Sequence, residues 1–216
     1  IIKKHIQRIL KSPFVDYYLE HSSADPSFPP LRDTKSHLER IMAYSEAVAE
    51  EGLLKISAEE RKNHFVFNQF APYKLPPESC SQYVREDPAL YHTKEFAVLK
   101  VRVFKQFTDD MLKKYLDSVY NSVMAVVEER PDLVLNGEQR QEGTDILNAS
   151  LLTDLSRLSY KTKSKILETR SSLDTSTDFD VCTYGKHLYK SVLDIDDPEK
   201  RDLVIRLLYS GEYSGI

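Results

Sequence analysis

The chain has 216 residues, with 30 basic against 34 acidic side chains and a formal net charge of −4. Hydrophobic residues make up 41% and charged residues 30%, enough apolar surface for one sizeable core or two small ones and too much for a disordered chain. The acidic balance gives no support to general nucleic-acid binding, no apolar run reaches the roughly 18 residues of a membrane span, and six glycines disfavour a turn-rich β-sandwich or a Rossmann-type sheet.

The opening "IIKKHIQRIL" lacks the apolar stretch of a secretory signal and begins without Met, so it reads as part of a longer protein. Ile2, Ile6, Ile9 and Leu10 fall on one helical face over residues 2–11. Ser12-Pro13 then has the form of an N-cap and first helical residue, with a helix to about His21. "SSADPSFPPLRD" reads as a proline-rich loop. A long helix follows over about 34–51, with Ser36 and Glu39 at capping-box spacing. Its apolar stripe is Leu38, Ile41, Met42, Ser45, Val48, Ala49 and Gly52.

Ser57-Ala-Glu-Glu60 is a second capping box and predicts a helix over 58–70, stopped by Pro72. Pro76-Pro77-Glu78 starts a short helix that Asp87-Pro88 ends. The segment "EFAVLKVRVFKQF" fits a helix through Phe96, Leu99, Val103 and Phe107, and a strand through Ala97, Leu99, Val101 and Val103. Helix is favoured because the region runs on into one, with a short strand pair near 95–105 as the alternative. Thr108-Asp-Asp caps a helix over 109–130 that Pro131 ends, and "PDLVLNGEQRQEG" reads as a polar loop. Thr144 is expected to cap a helix carrying Leu147, Leu151, Leu155 and Leu158. Residues 161–173 either continue that helix or form a second one, and two closing helices are expected at 178–193 and 198–210, the last with Asp197 as N-cap and Gly211 as the C′ residue. The expected fold is all-α, an irregular multi-helix bundle of about eight to ten helices in one domain spanning 1–216, with a weak subdivision at 131–143.

The phosphate-cradling glycine motifs, the G-x-S-x-G elbow, C-x-x-C and H-E-x-x-H are missing from the sequence. None of the six histidines sits three or four residues from another. "SHLERIMAYSEAVAEEG" resembles the first metal-histidine helix of HD-type phosphohydrolases, through His37, Arg40 and Tyr44. That resemblance implies a metal-dependent phosphohydrolase, but the family's His-Asp dipeptide occurs nowhere in the chain. "DIDDPE", at 194–199, lacks the glycine of a calcium loop and reads as a helix start where carboxylates meet the positive end of the dipole. Asn148-Ala-Ser150 matches a glycosylation sequon inside a helical pattern. Cys80 and Cys182 stand about a hundred residues apart and read as reduced, buried thiols, with a single disulfide as the alternative, and the thiol reading implies an intracellular, cytoplasmic setting. The 13 tyrosines read mainly as filling for a core without tryptophan.

The densest aromatic and proline stretch is "FVFNQFAPYKLPPESCSQY", residues 65–83. Its prolines stiffen the backbone and restrict the residues before them, so what they present costs little to order. It forms either a core corner or a docking edge, with Phe70, Tyr73, Leu75 and Tyr83 as the candidate partner-binding residues. The leading expectation is a non-catalytic helical protein-interaction or regulatory module that needs no cofactor or metal. Its partner would be another protein, with a small GTPase or a scaffold protein as examples resting on fold analogy. The alternative is a hydrolase or transferase whose site is assembled from dispersed His, Asp and Glu residues, with His37 and His64 as candidates.

Overall fold

The structure, a computed structural model, describes residues 1–21, 34–86, 90 and 94–211. Eleven α-helices occur among the described residues, and no strand. In chain order they are α1 (Ile2–Leu10), α2 (Phe14–His21), α3 (Thr34–Gly52), α4 (Ala58–Phe70), α5 (Pro77–Val84), α6 (Lys94–Phe104), α7 (Asp109–Val127), α8 (Gly137–Leu155), α9 (Tyr160–Arg170), α10 (Asp178–Leu193) and α11 (Pro198–Tyr209). Short 3-10 turns follow α3 at Leu53–Lys55 and α4 at Ala71–Tyr73. The 22–33 loop, the Ser36–Glu39 capping box and Asp87-Pro88 lie outside the residues and side chains described.

The chain forms two compact units, one of 1–64 with 109–134 and the other of 65–108 with 135–216. The first unit is organised by α3 and α7. The C-terminal part of the predicted α3 stripe and the apolar face of α7 meet α1 and α2 in one cluster, with Ile9, Phe14, Tyr18, Val48, Ala49, Val119, Val123 and Val126 buried, while Leu38 at the start of the stripe is exposed. The two helices cross so closely that a Cβ on Gly52 would lie 2.0 Å from the Ser122 carbonyl oxygen. Small residues permit this approach, and their hydroxyls are satisfied within their own helices: Ser122 Oγ donates to Ser118 O at 2.9 Å and Ser45 Oγ to Met42 O at 2.7 Å. Ser12 departs from expectation. Its hydroxyl turns back to donate to Ile9 O at 2.7 Å, closing α1 rather than capping α2.

The capping box before α4 forms as predicted. Ser57 N–H donates to Glu60 Oε2 at 3.0 Å and Glu60 N–H to Ser57 Oγ at 3.4 Å. Arg61 is fully buried, its guanidinium donating to Leu53 O at 2.8 Å and Ile56 O at 2.6 Å. A delocalised cation with five donors can satisfy carbonyls that a turn leaves without helical partners. α7 ends at Val127, with Glu129 in the left-handed region at φ 52°.

The second unit is built around α5 and α10, and here the structure corrects the expected thiols. Cys80 and Cys182 are joined in a disulfide between these two helices. A thiol count and a large separation carry no information about distance in the fold, and these two residues have Cα atoms 5.3 Å apart. One turn along α10, a Cβ on Gly185 would meet Val84 Cγ2 at 2.2 Å, so the same helix pair is in backbone-close contact there. Asp178, at the start of α10, accepts from Ser81 Oγ at 2.6 Å and from Arg85 at 2.9 Å. Those two bonds hold its carboxyl below the usual carboxylate range.

Leu147, Leu151 and Leu155 of α8 are buried as their spacing predicts, a gain of about 1.5–3 kcal/mol each. The start of α8 is a second correction. Helix begins at Gly137, not at Thr144, because Asn136 accepts from Gln139 N–H at 2.8 Å while Gln139 reaches back to Asn136 N–H at 3.0 Å. Segment 94–104 is helical, so the strand alternative falls. Phe96, Leu99 and Val103 are buried and Val101 is exposed, a period of three to four rather than two. Asp197 caps α11 as expected, accepting from Glu199 N–H at 2.9 Å, and Gly211 follows it at φ 66°.

Candidate functional site

The 65–83 stretch is mostly a core corner. Phe65 packs edge-on to Tyr189 and Tyr209, and Phe67 edge-on to Phe104, so both faces of this half of α4 are covered. Ala71, Pro72 and Cys80 are buried. Of the four candidate contact residues, Tyr83 belongs to this core. It is 7% exposed, its ring lies against Phe96 and Tyr189, and its hydroxyl donates to Asn68 Oδ1. Phe70 is half-buried against Phe107, with ring centroids 5.5 Å apart, and Leu75 is half-buried.

Tyr73 is different. It ends the 3-10 turn with 57% of its surface exposed, directly after two buried residues. Lys186, one turn past the disulfide on α10, sits 5.2 Å from its ring centroid. Such a cation over an exposed ring contributes about 0.5–1 kcal/mol and limits the ring's freedom.

α6 lies beside this turn, and Arg102 Nη1 donates to Lys74 O at 3.4 Å. The inward face of α6 is Phe96, Leu99 and Val103. The outward face carries Val98, 46% exposed, and Val101, 55% exposed, at i, i+3 spacing. Arg102 and Lys105 share that outward face and are exposed. The candidates read from the sequence, Phe70, Tyr73, Leu75 and Tyr83, include no residue of α6. The available signal was two valines left over on the polar side of an otherwise amphipathic segment. Exposed Tyr73 thus stands on a turn packed beside a helix whose outward side carries Val98 and Val101 with Arg102, and Lys105 just beyond it.

The catalytic candidates were also placed. His64 stacks on Tyr115 at 5.3 Å, and His37 is half-buried in the first part of α3. Tyr44, which the phosphohydrolase resemblance pairs with His37, is a core ring against Phe14 and Tyr18. Among the described residues no group of three His, Cys, Asp or Glu side chains is placed to hold a metal. His187, which no local spacing singles out, has Nδ1 2.5 Å from Asp154 Oδ2 across α10 and α8, and Lys190 donates to Asp154 Oδ1 at 2.6 Å. Burial pushes the Asp154 carboxyl up, but the bonds from Lys190 and His187 outweigh it and hold it below its ordinary value. The contact engages His187 through Nδ1. Serines on the same helices are committed elsewhere: Ser150 Oγ donates to Ser191 O at 2.7 Å and Ser191 Oγ to Leu188 O at 2.8 Å. Asn148, the sequon residue, is half-buried within α8. Among the described residues no helix is long and apolar enough to cross a membrane. Comparison with protein-family models, with curated proteins and with solved structures finds no match.

Proposed function

We propose that this chain is a non-catalytic interaction module that docks another protein on the face centred on Tyr73. One observation carries the reading: an exposed aromatic ring stands on a proline-stiffened turn whose neighbours are locked in the core. A ring held this way is ordered before binding, so docking loses little conformational entropy, and tyrosine is enriched among residues that dominate binding energy. Small GTPases and scaffold proteins are partner classes that helical modules serve, by fold analogy alone. The disulfide favours an oxidising compartment over the cytoplasm suggested by the cysteine count.

The test is a Tyr73→Ala, Leu75→Ala protein in a quantitative affinity pull-down from its native source, beside a thermal melt. Loss of bound partner with an unchanged melt is expected. A variant that keeps its full partner set removes this face from consideration. A hydrolase or transferase is the second reading, and the His187–Asp154 pair is the observation that favours it. A His187→Gln protein with undiminished turnover of any substrate found would end that reading.

A further inference from the structure

We infer that the segment docking on the Tyr73 face is acidic on one side and apolar on the other, an inference that rests on the interaction reading above. The apolar centre supplies half of the reason. Val98 and Val101 are β-branched and exposed on the outward side of α6, the helix that packs beside the turn carrying exposed Tyr73. Burying them rewards a partner with apolar side chains at helical spacing.

The rim supplies the other half. The chain as a whole is acidic, with a net charge of −4, yet residues 94–107 hold Lys94, Lys100, Arg102 and Lys105 against Glu95 alone. Arg102 and Lys105 lie on the outward face with the valines. Lys186 of α10 stands over the Tyr73 ring, and Lys74 follows Tyr73 directly in the chain. Glu78, in the first turn of α5, is the acidic residue nearest Tyr73 in sequence and is exposed. Like charges facing one another across an interface are strongly disfavoured, so this rim selects carboxylates and rejects cations. A bilayer is the weaker match. Membrane-surface helices carry a continuous apolar face with Trp, Phe or Leu, whereas α6 offers two valines on an 11-residue helix.

The experiment is fluorescence anisotropy with labelled amphipathic peptides that share one leucine face and differ on the polar face, carrying Glu, Gln or Lys. The Glu peptide should bind about tenfold tighter than the Gln peptide, lose that margin in high salt, and bind the Arg102→Glu, Lys105→Glu protein no better than the Lys peptide does. Tyr73→Ala should weaken all three. Circular dichroism melts show that each variant is folded. If the Gln or Lys peptide binds the unaltered protein as tightly as the Glu peptide, and Tyr73→Ala still weakens it, the acidic partner is wrong and the docking face stands. If binding ignores Tyr73→Ala and the charge reversal alike, both fall. Tight binding to phosphatidylserine vesicles that the charge reversal abolishes, with no Glu-peptide binding, overturns the inference in favour of a lipid surface.

Discussion

Breaking the Cys80–Cys182 bond is the perturbation with the best-defined size. The bond joins residues 102 apart in sequence, and chain-entropy theory assigns closure of a loop that long about 4.7 kcal/mol at 25 °C, by restricting the unfolded chain. Unfolding entropy near 60 °C is about 2.1 cal/mol/K per residue, or about 450 cal/mol/K for 216 residues. The expected fall in Tm on reduction is therefore about 10 °C if the chain melts as one transition. It is larger if the second unit, which contains the bond, melts by itself, because fewer residues then share the loss. The assay is calorimetry on oxidised protein, on protein unfolded and refolded in reductant, and on a Cys80→Ala, Cys182→Ala variant. Both sulfurs are buried, so reductant reaches them only through opening, and brief treatment of folded protein is not the comparison to make. Two reactive thiols in non-reduced, denatured protein would refute the bond itself. A Tm change below about 2 °C with the bond intact would refute the loop-entropy reasoning and point to residual structure in the unfolded chain.

Gly185→Ala should destabilise by about 1–3 kcal/mol, because its Cβ meets the branched end of Val84, and adding Val84→Ala should recover part of that loss in a double-mutant cycle read by urea unfolding. Glu129→Gly should stabilise by about 0.5–1 kcal/mol by relieving a left-handed backbone at the end of α7, measured as a raised denaturant midpoint with unchanged slope. The pairing of Asp154 depresses its folded-state pKa, so its contribution is complete above the unfolded value of about 3.9 and is lost as pH falls through the lower folded value. Urea midpoints between pH 2 and 5 should drop steeply at the acid end, and Asp154→Asn should flatten that drop.

Much of the helical framework was legible because it is written in local spacing. The stripe of α3, the bounds of α7, the leucines of α8, the Ser57–Glu60 box and the Asp197-Pro198 start each need only a few consecutive residues to be read. α8 shows the limit of such signals. Asn136-Gly137 is a strong turn dipeptide, and the same asparagine caps a helix once Gln139 answers it three residues further on. What stayed hidden is non-local. Nothing near Cys80 states that Cys182 lies across a helix interface, and nothing near Asp154 announces His187. Tyr83 was misplaced because the proline-rich approach to α5 suggests an exposed edge, while its side chain is covered by Tyr189 of α10, Phe96 of α6 and Asn68 of α4. Tyr73 was legible as a candidate, and its setting was not, since α6 reaches it from 28 residues away.

The disulfide also bears on how the molecule survives damage. Everything from Ser81 to Val181 lies inside the covalent ring, including all of α7, a helix of the other unit. A protease that cuts any one bond in that stretch opens the ring and releases nothing. The nicked chain would still migrate as a single species until reductant is added, and only then separate into two fragments. Cuts outside the ring, before Cys80 or after Cys182, release a fragment at once unless packing retains it. The same molecule therefore has a long interior where single cleavages leave its mass unchanged, and two flanks where they do not.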